Sequence, residues 1–588
     1  MSDRWAVALA LGVCAGAWWS ADVPMAPAVL VVVAALVVRR PLLLVAGAAL
    51  LAASLGHRAW AGLAPPPSSE VVAGEAVLVS DPVDFRGALR VDLAVGRRRV
   101  EAWARGTPAA ALRPRLAGER VHVEGRLRAP PPDARRWLAL RHVSARLSID
   151  RVASWRPGSV ASRSANGLRR TLAQGAVPLE RDQRALLSGF LLGDDRDQSE
   201  AVADDFRAAG LTHLLAVSGQ NVAFVLVLAR PVLRRLGLHG RWAASLAVIA
   251  FFALLTRFEP SVLRAAAMAA LAVTAVGLGR PSSRGRLLAL AVAGVVVVDP
   301  LLVHSVGFRL SVGAATGILV LAARLARHIP GPRWLAEAVA VTVAAQVGVA
   351  PVLIPVFGGL PVASLPANLL AVPVAAPLMA WGLTAGLVAG IAGPPLDAVL
   401  HLPTSLLVGW VAGVARWAAT LPLGQLEGPH VVVVAAITVL SVLAWRWHPR
   451  LVPPVGAVGV TLAVLAPALS PAADPLSDVP PAAGARLWRA GATVLVIDDP
   501  DGGRLLEGLH RQRVARVDLV VATRGTKAQA ATVALLRQRI DVAAVLAPAG
   551  HVIRDAVVAP EGTIHVGRLR VVVAAGPVLH AEVSTMEP

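Results

Sequence analysis

The chain has almost no lysine and almost no cysteine, and each shortage closes off a class of mechanism. Lys527 is the one lysine among 57 basic residues, so the other 56 are arginines. A phosphate-binding P-loop needs GxxxxGK[ST], and Lys527 follows Thr526 and precedes Ala528, so ATP hydrolysis by that route is excluded. Cys14 is the one cysteine and lies in an apolar segment. Neither an internal disulfide nor a multi-cysteine metal site can form. A lipoprotein-type anchor does not suit Cys14 either, because bulky Val13 precedes it and further apolar segments follow.

What the chain has in abundance is apolar surface. Of 588 residues 56% are hydrophobic, mean hydropathy is +0.64, and apolar runs repeatedly reach the ~20 residues that span a bilayer. This predicts a polytopic α-helical membrane protein. The opening WAVALALGVCAGAWW imitates a signal peptide, yet PMAPAVLVVVAALVV and PLLLVAGAALLAASLG follow at once, so residues 1–64 are predicted to be transmembrane helices. Arg39 and Arg40 place the N-terminus in the cytoplasm and the segment after residue 62 outside, by the positive-inside rule.

Residues 65–155 change character to short alternating runs such as ALRVDLAVG and ERVHVEGRLRAP, broken by Gly, Pro and Asp. Period-two alternation at this spacing predicts a small β-barrel of about five strands, compatible with an OB fold among others. Residues 156–210 read as an amphipathic helical connector. Residues 211–470 return to apolar segments, with arginine clusters such as Arg230, Arg234, Arg235 and Arg241 marking cytoplasmic loops and roughly ten crossings between them. Residues 471–588 follow a Pro-rich linker, and their strands and helix (ATVLVIDD, VDLVVAT, AQAATVALLRQR, DVAAVLAP, TIHVGRLRVVVAA) predict an α/β domain.

Polar residues inside the apolar segments are the candidates for function, because they are expensive there. GLTHLLAVSGQNV at 210–222 would place His213, Ser218, Gln220 and Asn221 at the outer end and in the first turns of one helix. These residues, with Gln346 and Asn368, either hydrogen-bond between helices or line a polar route. Arg264 and Arg309 cannot discharge by losing a proton and must find water, a carboxylate or a phosphate. Six prolines between Pro351 and Pro377, with Gly348, Gly358 and Gly359, either kink helices for packing or open discontinuous helices around a cavity. In the β-domain, Arg97, Arg98, Arg99, Arg126 and Arg128 accompany Trp103, the composition of either a solvated basic face or a single-strand groove with an aromatic platform.

Together these pieces resemble the ComEC family of DNA-uptake competence proteins over nearly the whole chain. The resemblance is carried by GLTHLLAVSGQNV at 210–222, PSVLRAAAMA at 260–269, DPLLVHSVGFRLSVGAATGI at 299–318 and AAQVGVAPVLIPVFGGLPVASLPANLLAVPV at 344–374. It implies an OB-like external domain, a multi-helix competence domain and a C-terminal metallo-β-lactamase-like domain. Two departures stand out: Asn221 where that family usually has a second histidine, and Arg309 where a glutamine commonly follows Gly-Phe. A two-histidine metal site is therefore not expected, since one histidine offers too few ligands.

By the same resemblance, members that keep a hydrolase site carry His-x-(His/Asp)-x-Asp-His after a strand ending in Leu-(Thr/Ser). Here VDLVVAT runs into Arg524, Gly525, Thr526, Lys527, Ala528 and Gln529. Arg524, Thr526, Ala528 and Gln529 occupy ligand positions and serve poorly or not at all. His510, His551, His565 and His580 are not spaced as a short metal pair. The expectation is a degenerate, non-hydrolytic domain, with no metal and no cofactor.

The resemblance thus implies a plasma-membrane channel for single-stranded transforming DNA in natural competence, with both soluble domains extracytoplasmic. Its expected partners are single-stranded DNA, the lipid bilayer, a separate DNA receptor, and a cytoplasmic motor or single-strand-binding protein. The competing readings are a secondary transporter of a small anionic solute and a membrane-tethered nuclease.

Overall fold

A computed structural model describes the chain except residues 1, 86, 216–218, 280–281, 422, 446–451, 470–475, 575, 577 and 587–588. The described residues form two compact units, Met1–Asp197 with His213–Leu353 and Val372–Gly409, and Gln198–Thr212 with Ile354–Ala371 and Trp410–Pro588.

In the first unit the alternating segments fold as β1 (Glu70–Leu78), β2 (Val83–Phe85), β3 (Ala88–Val95), β4 (Arg98–Ala104), β5 (Arg120–Arg128) and β6 (Val143–Arg156). Their order is β1-β5-β6-β4-β3-β2, and a further β1–β3 pairing closes the sheet on itself. The β4–β6 pair is parallel, whereas β1–β3, β3–β4, β5–β6 and β1–β5 are antiparallel. Alternation sends Val91, Leu93, Val100, Ala102, Val123 and Leu147 inward, and Leu112 on the helix Gly106–Leu112 enters the same core. At the β5–β6 irregularity a Cβ on Gly125 would lie 2.1 Å from the Ser148 carbonyl oxygen, so only glycine admits that approach.

A buried charge cluster ties the barrel to the rest of this unit. Asp81, just after β1, accepts from Arg257 at 2.9 and 3.2 Å and from Arg169 at 3.0 Å. Arg169 also donates to Asp194 at 2.7 Å and to the Leu255 carbonyl at 2.9 Å. Arg169 belongs to the connector helix Val160–Gly175, and Arg257 to the turn between the helices Leu238–Leu255 and Pro260–Gly277.

Among the described residues seven helices are long and apolar enough to cross a membrane: Pro41–Ala61, Leu238–Leu255, Pro260–Gly277, Val306–Ala326, Arg333–Phe357, Ser364–Ala392 and Leu396–Thr420. The protein is a polytopic membrane protein. Met25–Val38 and Gly219–Leu233 are apolar but shorter than the other helices. Helices Val306–Gly317 and Arg333–Phe357 meet backbone to backbone: a Cβ on Gly313 would lie 2.5 Å from the Gly348 carbonyl oxygen, and one on Gly317 2.2 Å from that of Ala344. Small residues spaced by four give such close seams where no hydrophobic force drives helices together.

In the second unit the C-terminal sheet runs Val557–Val558, Asp541–Ala547, Arg516–Ala522, Thr493–Ile497, Ala485–Arg489, Leu476–Val479. The first four strands are parallel and the last two join antiparallel. Helices Gly502–Arg511 and Lys527–Arg539 pack Leu505, Leu509, Val533 and Leu536 on one face. A three-stranded sheet packs Leu569, Val571 and Val573 on the other. Coverage on both faces explains why TVLVI is a continuous apolar run rather than an alternating one. The stretch read as one strand, TIHVGRLRVVVAA, is a hairpin of Gly562–Val566 and Leu569–Ala574 that turns at Gly567, whose φ is +58°.

Candidate functional site

The outer face of the barrel carries one ordered arginine and aromatic surface. Cross-strand pairing puts Arg126 (β5), Ser148 (β6), Trp103 (β4) and Arg90 (β3) in a single row. The adjacent row is Arg128, Arg146, Glu101 and Asp92. Residues opposite one another on paired strands share a face, so Arg126, Arg128 and Trp103, expected as DNA contacts, come together here. Arg99 lies on the same face of β4 but four residues, about 13 Å, from Trp103. Arg97 and Arg98 sit exposed at the β3–β4 turn, at the far end of the strands, and do not join the cluster.

Glu101, which sequence reasoning passed over, organises this face. Its fully buried carboxylate accepts from Trp103 Nε1 at 3.0 Å, Arg146 Nε at 2.8 Å and Arg141 at 3.3 Å. Asp92 takes a second hydrogen bond from Arg141, and burial pushes its carboxyl up against that guanidinium's opposing pull. Arg90 lies over Phe85 at 5.5 Å and Trp137 at 5.7 Å, Arg146 over Trp103 at 5.8 Å, and Phe85 meets Trp103 edge to face at 5.8 Å. A cavity of about 470 Å³ opens beside this row, lined by Trp103, Arg105, Ser148 and Asp150 among others. Fixed indole rings framed by guanidinium groups suit stacked bases and a phosphate backbone. Glu101 was legible only as an acidic residue in a basic strand, and pairing register was needed to give it a role.

The polar residues of the helical region separate. His213 lies exposed in the helical stretch Thr212–Leu215, and Gln220 and Asn221 lie in the helical stretch Gly219–Leu233. Residues 216–218 between these two stretches, Ser218 among them, lie outside the described residues. Asn221 is buried and donates to the Phe190 carbonyl at 3.2 Å, so it joins two helices. Gln220 is exposed. Arg264 donates from Nε to Ser311 Oγ at 2.8 Å, and a Cβ on Gly219 would lie 3.1 Å from its Nη2. The guanidinium thus sits between the Gly219 backbone and the Ser311 hydroxyl.

Arg309 lies over the Trp18 ring at 5.8 Å. Asp299, a candidate counter-charge, instead meets His142 Nε2 at 2.9 Å. Gln346 is two residues from both Ala344 and Gly348, hence about 160° round the helix from the glycine seam. Asn368 is in the second unit, where its amide donates to the Ser364 carbonyl at 2.7 Å, a bond within its own helix.

In the C-terminal domain the expected ligand positions are filled by a network. The buried Gln529 side chain accepts from the Arg524 and Gly525 amides at 3.0 and 2.7 Å and donates to the Ile497 carbonyl and Thr523 Oγ1 at 3.1 and 3.2 Å. Arg524 pairs with Asp498 at 3.1 Å, a cation where a cation would bind. Thr526 caps the following helix by accepting from Gln529 N at 3.2 Å, and Ala528 offers no donor atom. Among the described residues no group of three or more His, Cys, Asp or Glu could hold a metal ion.

The family model described as Competence protein matches residues 190–450. ComE operon protein 3 of Bacillus subtilis (strain 168) is 25% identical over 233 residues, 39% of this chain. Over this region the chain is similar to the ComEC competence family. An uncharacterized protein, YcaI, of Escherichia coli (strain K12) is 28% identical over 229 residues, 36% of this chain. Each match spans 30% of the relative's own length. No solved structure matches. The competence region contains Asn221, Arg264, Arg309, Gln346 and Asn368, whereas the barrel and the C-terminal domain lie outside it.

Proposed function

We propose that this protein, like the ComEC family it resembles, takes up transforming DNA as a single strand through its competence helices, and that the barrel is an OB-like domain that receives the strand. The row Arg126, Ser148, Trp103, Arg90, held by buried Glu101, carries this reading. The barrel's five long strands close in the order β1-β3-β4-β6-β5, with the helix Gly106–Leu112 between β4 and β5, and this small closed barrel supports the OB-like reading. Arg264 and Arg309 then supply cations along the helical part of the route.

The chain has no P-loop, so traction comes from a cytoplasmic motor, a single-strand-binding protein or an ion gradient, and a separate receptor delivers the DNA. The N-terminus is cytoplasmic and both soluble domains face outward. The C-terminal domain, metallo-β-lactamase-like in descent, does not hydrolyse, because Gln529 and Arg524 fill the place of ligands and metal.

The test is uptake of labelled DNA by cells with and without the gene, alongside fluorescence anisotropy of a labelled oligothymidylate with the purified full-length protein in nanodiscs. Loss of uptake on deletion, with salt-sensitive oligonucleotide binding, supports the reading. Unchanged uptake refutes it. Transport of a small anion without oligonucleotide binding would favour the transporter.

A further inference from the structure

We propose that a cleft beside the barrel, walled by Trp60, Arg136 and Ser144 and extended by Trp18, His304 and Arg309, is a single-nucleotide site. The two guanidinium groups hold the phosphate and the indole rings face the base. This rests on the uptake reading and narrows it to one station on the strand's path.

The cavity measures about 290 Å³, near the lower end of ligand pockets, which run from about 300 to 1,000 Å³. It therefore suits one nucleotide rather than an oligomer. At its Trp60 wall the His304 ring lies 5.7 Å from Trp60 and 4.6 Å from Trp18, and Arg309 covers the other part of this group at 5.8 Å from Trp18. Three aromatic rings from three chain segments thus meet two cations.

The polar atoms there are short of partners. His304 Nδ1 and Nε2 and Arg309 Nε are buried with no hydrogen-bond partner among the described residues. Burial, Arg136 and Arg309 all lower the His304 pKa, which places both guanidinium groups within electrostatic reach of the imidazole. Asp299, the acid nearest to His304 in sequence, is engaged with His142. Buried polar groups without partners mark a place where a ligand supplies them. An oxyanion with several acceptor lone pairs satisfies guanidinium and imidazole donors together.

The ligand is argued to be a nucleotide rather than a lipid headgroup from the walls. Pro130, Arg135, Arg136, Val143 and Ser144 come from the barrel and its helix, and Trp60 from the end of a membrane helix. The helix Pro132–Ala139 also carries Trp137, which Arg90 and Arg141 cover at 5.7 and 4.5 Å. One short helix therefore borders both the barrel's stacking face and this cleft, so a strand leaving the first reaches the second.

The experiment uses the full chain in nanodiscs and an oligothymidylate with bromodeoxyuridine at each position, photocrosslinked and mapped by mass spectrometry. Crosslinks at Trp60 or Trp18 are expected, lost in Arg136→Gln. Arg136→Gln and Arg309→Gln should each weaken oligonucleotide binding about tenfold, and reduce the slope of log affinity against log salt by about 0.7. Arg309→Lys, which keeps the charge, should restore most of the affinity and guards against misfolding of the glutamine variant. Crosslinks confined to Trp103 or Trp137, with unchanged affinity in the two variants, would overturn the cleft while leaving the uptake reading intact. Loss of co-purifying anionic phospholipid in Arg136→Gln with unchanged oligonucleotide binding would make it a lipid site and overturn it equally. Absence of any binding or crosslink removes both readings.

Discussion

Arg169 reaches the Asp81 carboxylate at 3.0 Å with both side chains shut off from water, and so couples the connector helix to the first loop of the barrel. The same guanidinium holds Asp194 at 2.7 Å and the end of a membrane helix through the Leu255 carbonyl at 2.9 Å. Removing one partner of a buried pair leaves the others uncompensated, which costs about 3–5 kcal/mol. Arg169→Ala is expected to lower the thermal midpoint sharply and make the barrel susceptible to limited proteolysis. An unchanged midpoint would show the cluster to be ornamental.

The pH dependence of this cluster follows from Asp81. Burial alone would raise its carboxyl, but Arg257, Arg169 and Arg196 outweigh burial and hold it below the ordinary value. A depressed folded-state pKa gives stability that is present above the unfolded value of about 3.9 and is lost as pH falls through the folded one. Thermal stability should therefore be insensitive to this group from about pH 5 to 8 and decline below about pH 4. In Asp81→Asn the acid decline should be shallower, and an equal decline would locate the acid sensitivity elsewhere.

The barrel face offers a graded series. Trp103→Leu removes a stacking surface worth about 1–3 kcal/mol per base and should weaken oligothymidylate binding accordingly without changing its salt slope. Arg126→Gln should weaken binding and also reduce the slope. Arg97→Gln, at the far turn, should do little by either measure, and an effect as large as that of Arg126→Gln would contradict the proposed track.

Glu101→Gln keeps the shape of the side chain and discards its charge beneath Arg141 and Arg146. Hydrogen bonds to charged groups contribute about 1.5–3 kcal/mol, so the barrel should lose stability on that scale. Trp103 fluorescence should report a more mobile indole, measurable as increased acrylamide quenching in a chain whose other tryptophans are replaced.

Gly313→Val should disrupt the seam between Val306–Gly317 and Arg333–Phe357, because its Cβ would fall 2.5 Å from the Gly348 carbonyl oxygen. Poor membrane abundance or loss of uptake is expected, whereas Gly294→Val, where a Cβ meets nothing within 4 Å, should be tolerated. Equal behaviour of the two would rule out close helix approach as the reason for Gly313.

Much of the architecture was legible because it depends on periodicity. Period-two alternation in ALRVDLAVG and ERVHVEGRLR marked strands, and long apolar runs marked membrane helices, since both patterns record which face meets water or lipid. The competence region was legible through its motifs, and the competence family model covers it. The row Arg126, Ser148, Trp103, Arg90 was half legible: composition offered Arg126 and Trp103, but equally Arg97 and Arg98, which pairing register sends to the far turn.

The sequence by itself determined that this protein spans a membrane repeatedly, carries an alternating β-domain and an α/β domain, and has no P-loop. Those are properties of residue type and local period, and no distant contact can alter them. Tertiary structure alone decided that Glu101 anchors Trp103, that Arg169 bonds Asp81, that Asp299 serves His142 rather than Arg309, and that Trp18, Trp60 and His304 meet. Each joins residues from separate elements, and which of many arginines finds which carboxylate is set by strand register and helix packing, not by spacing along the chain.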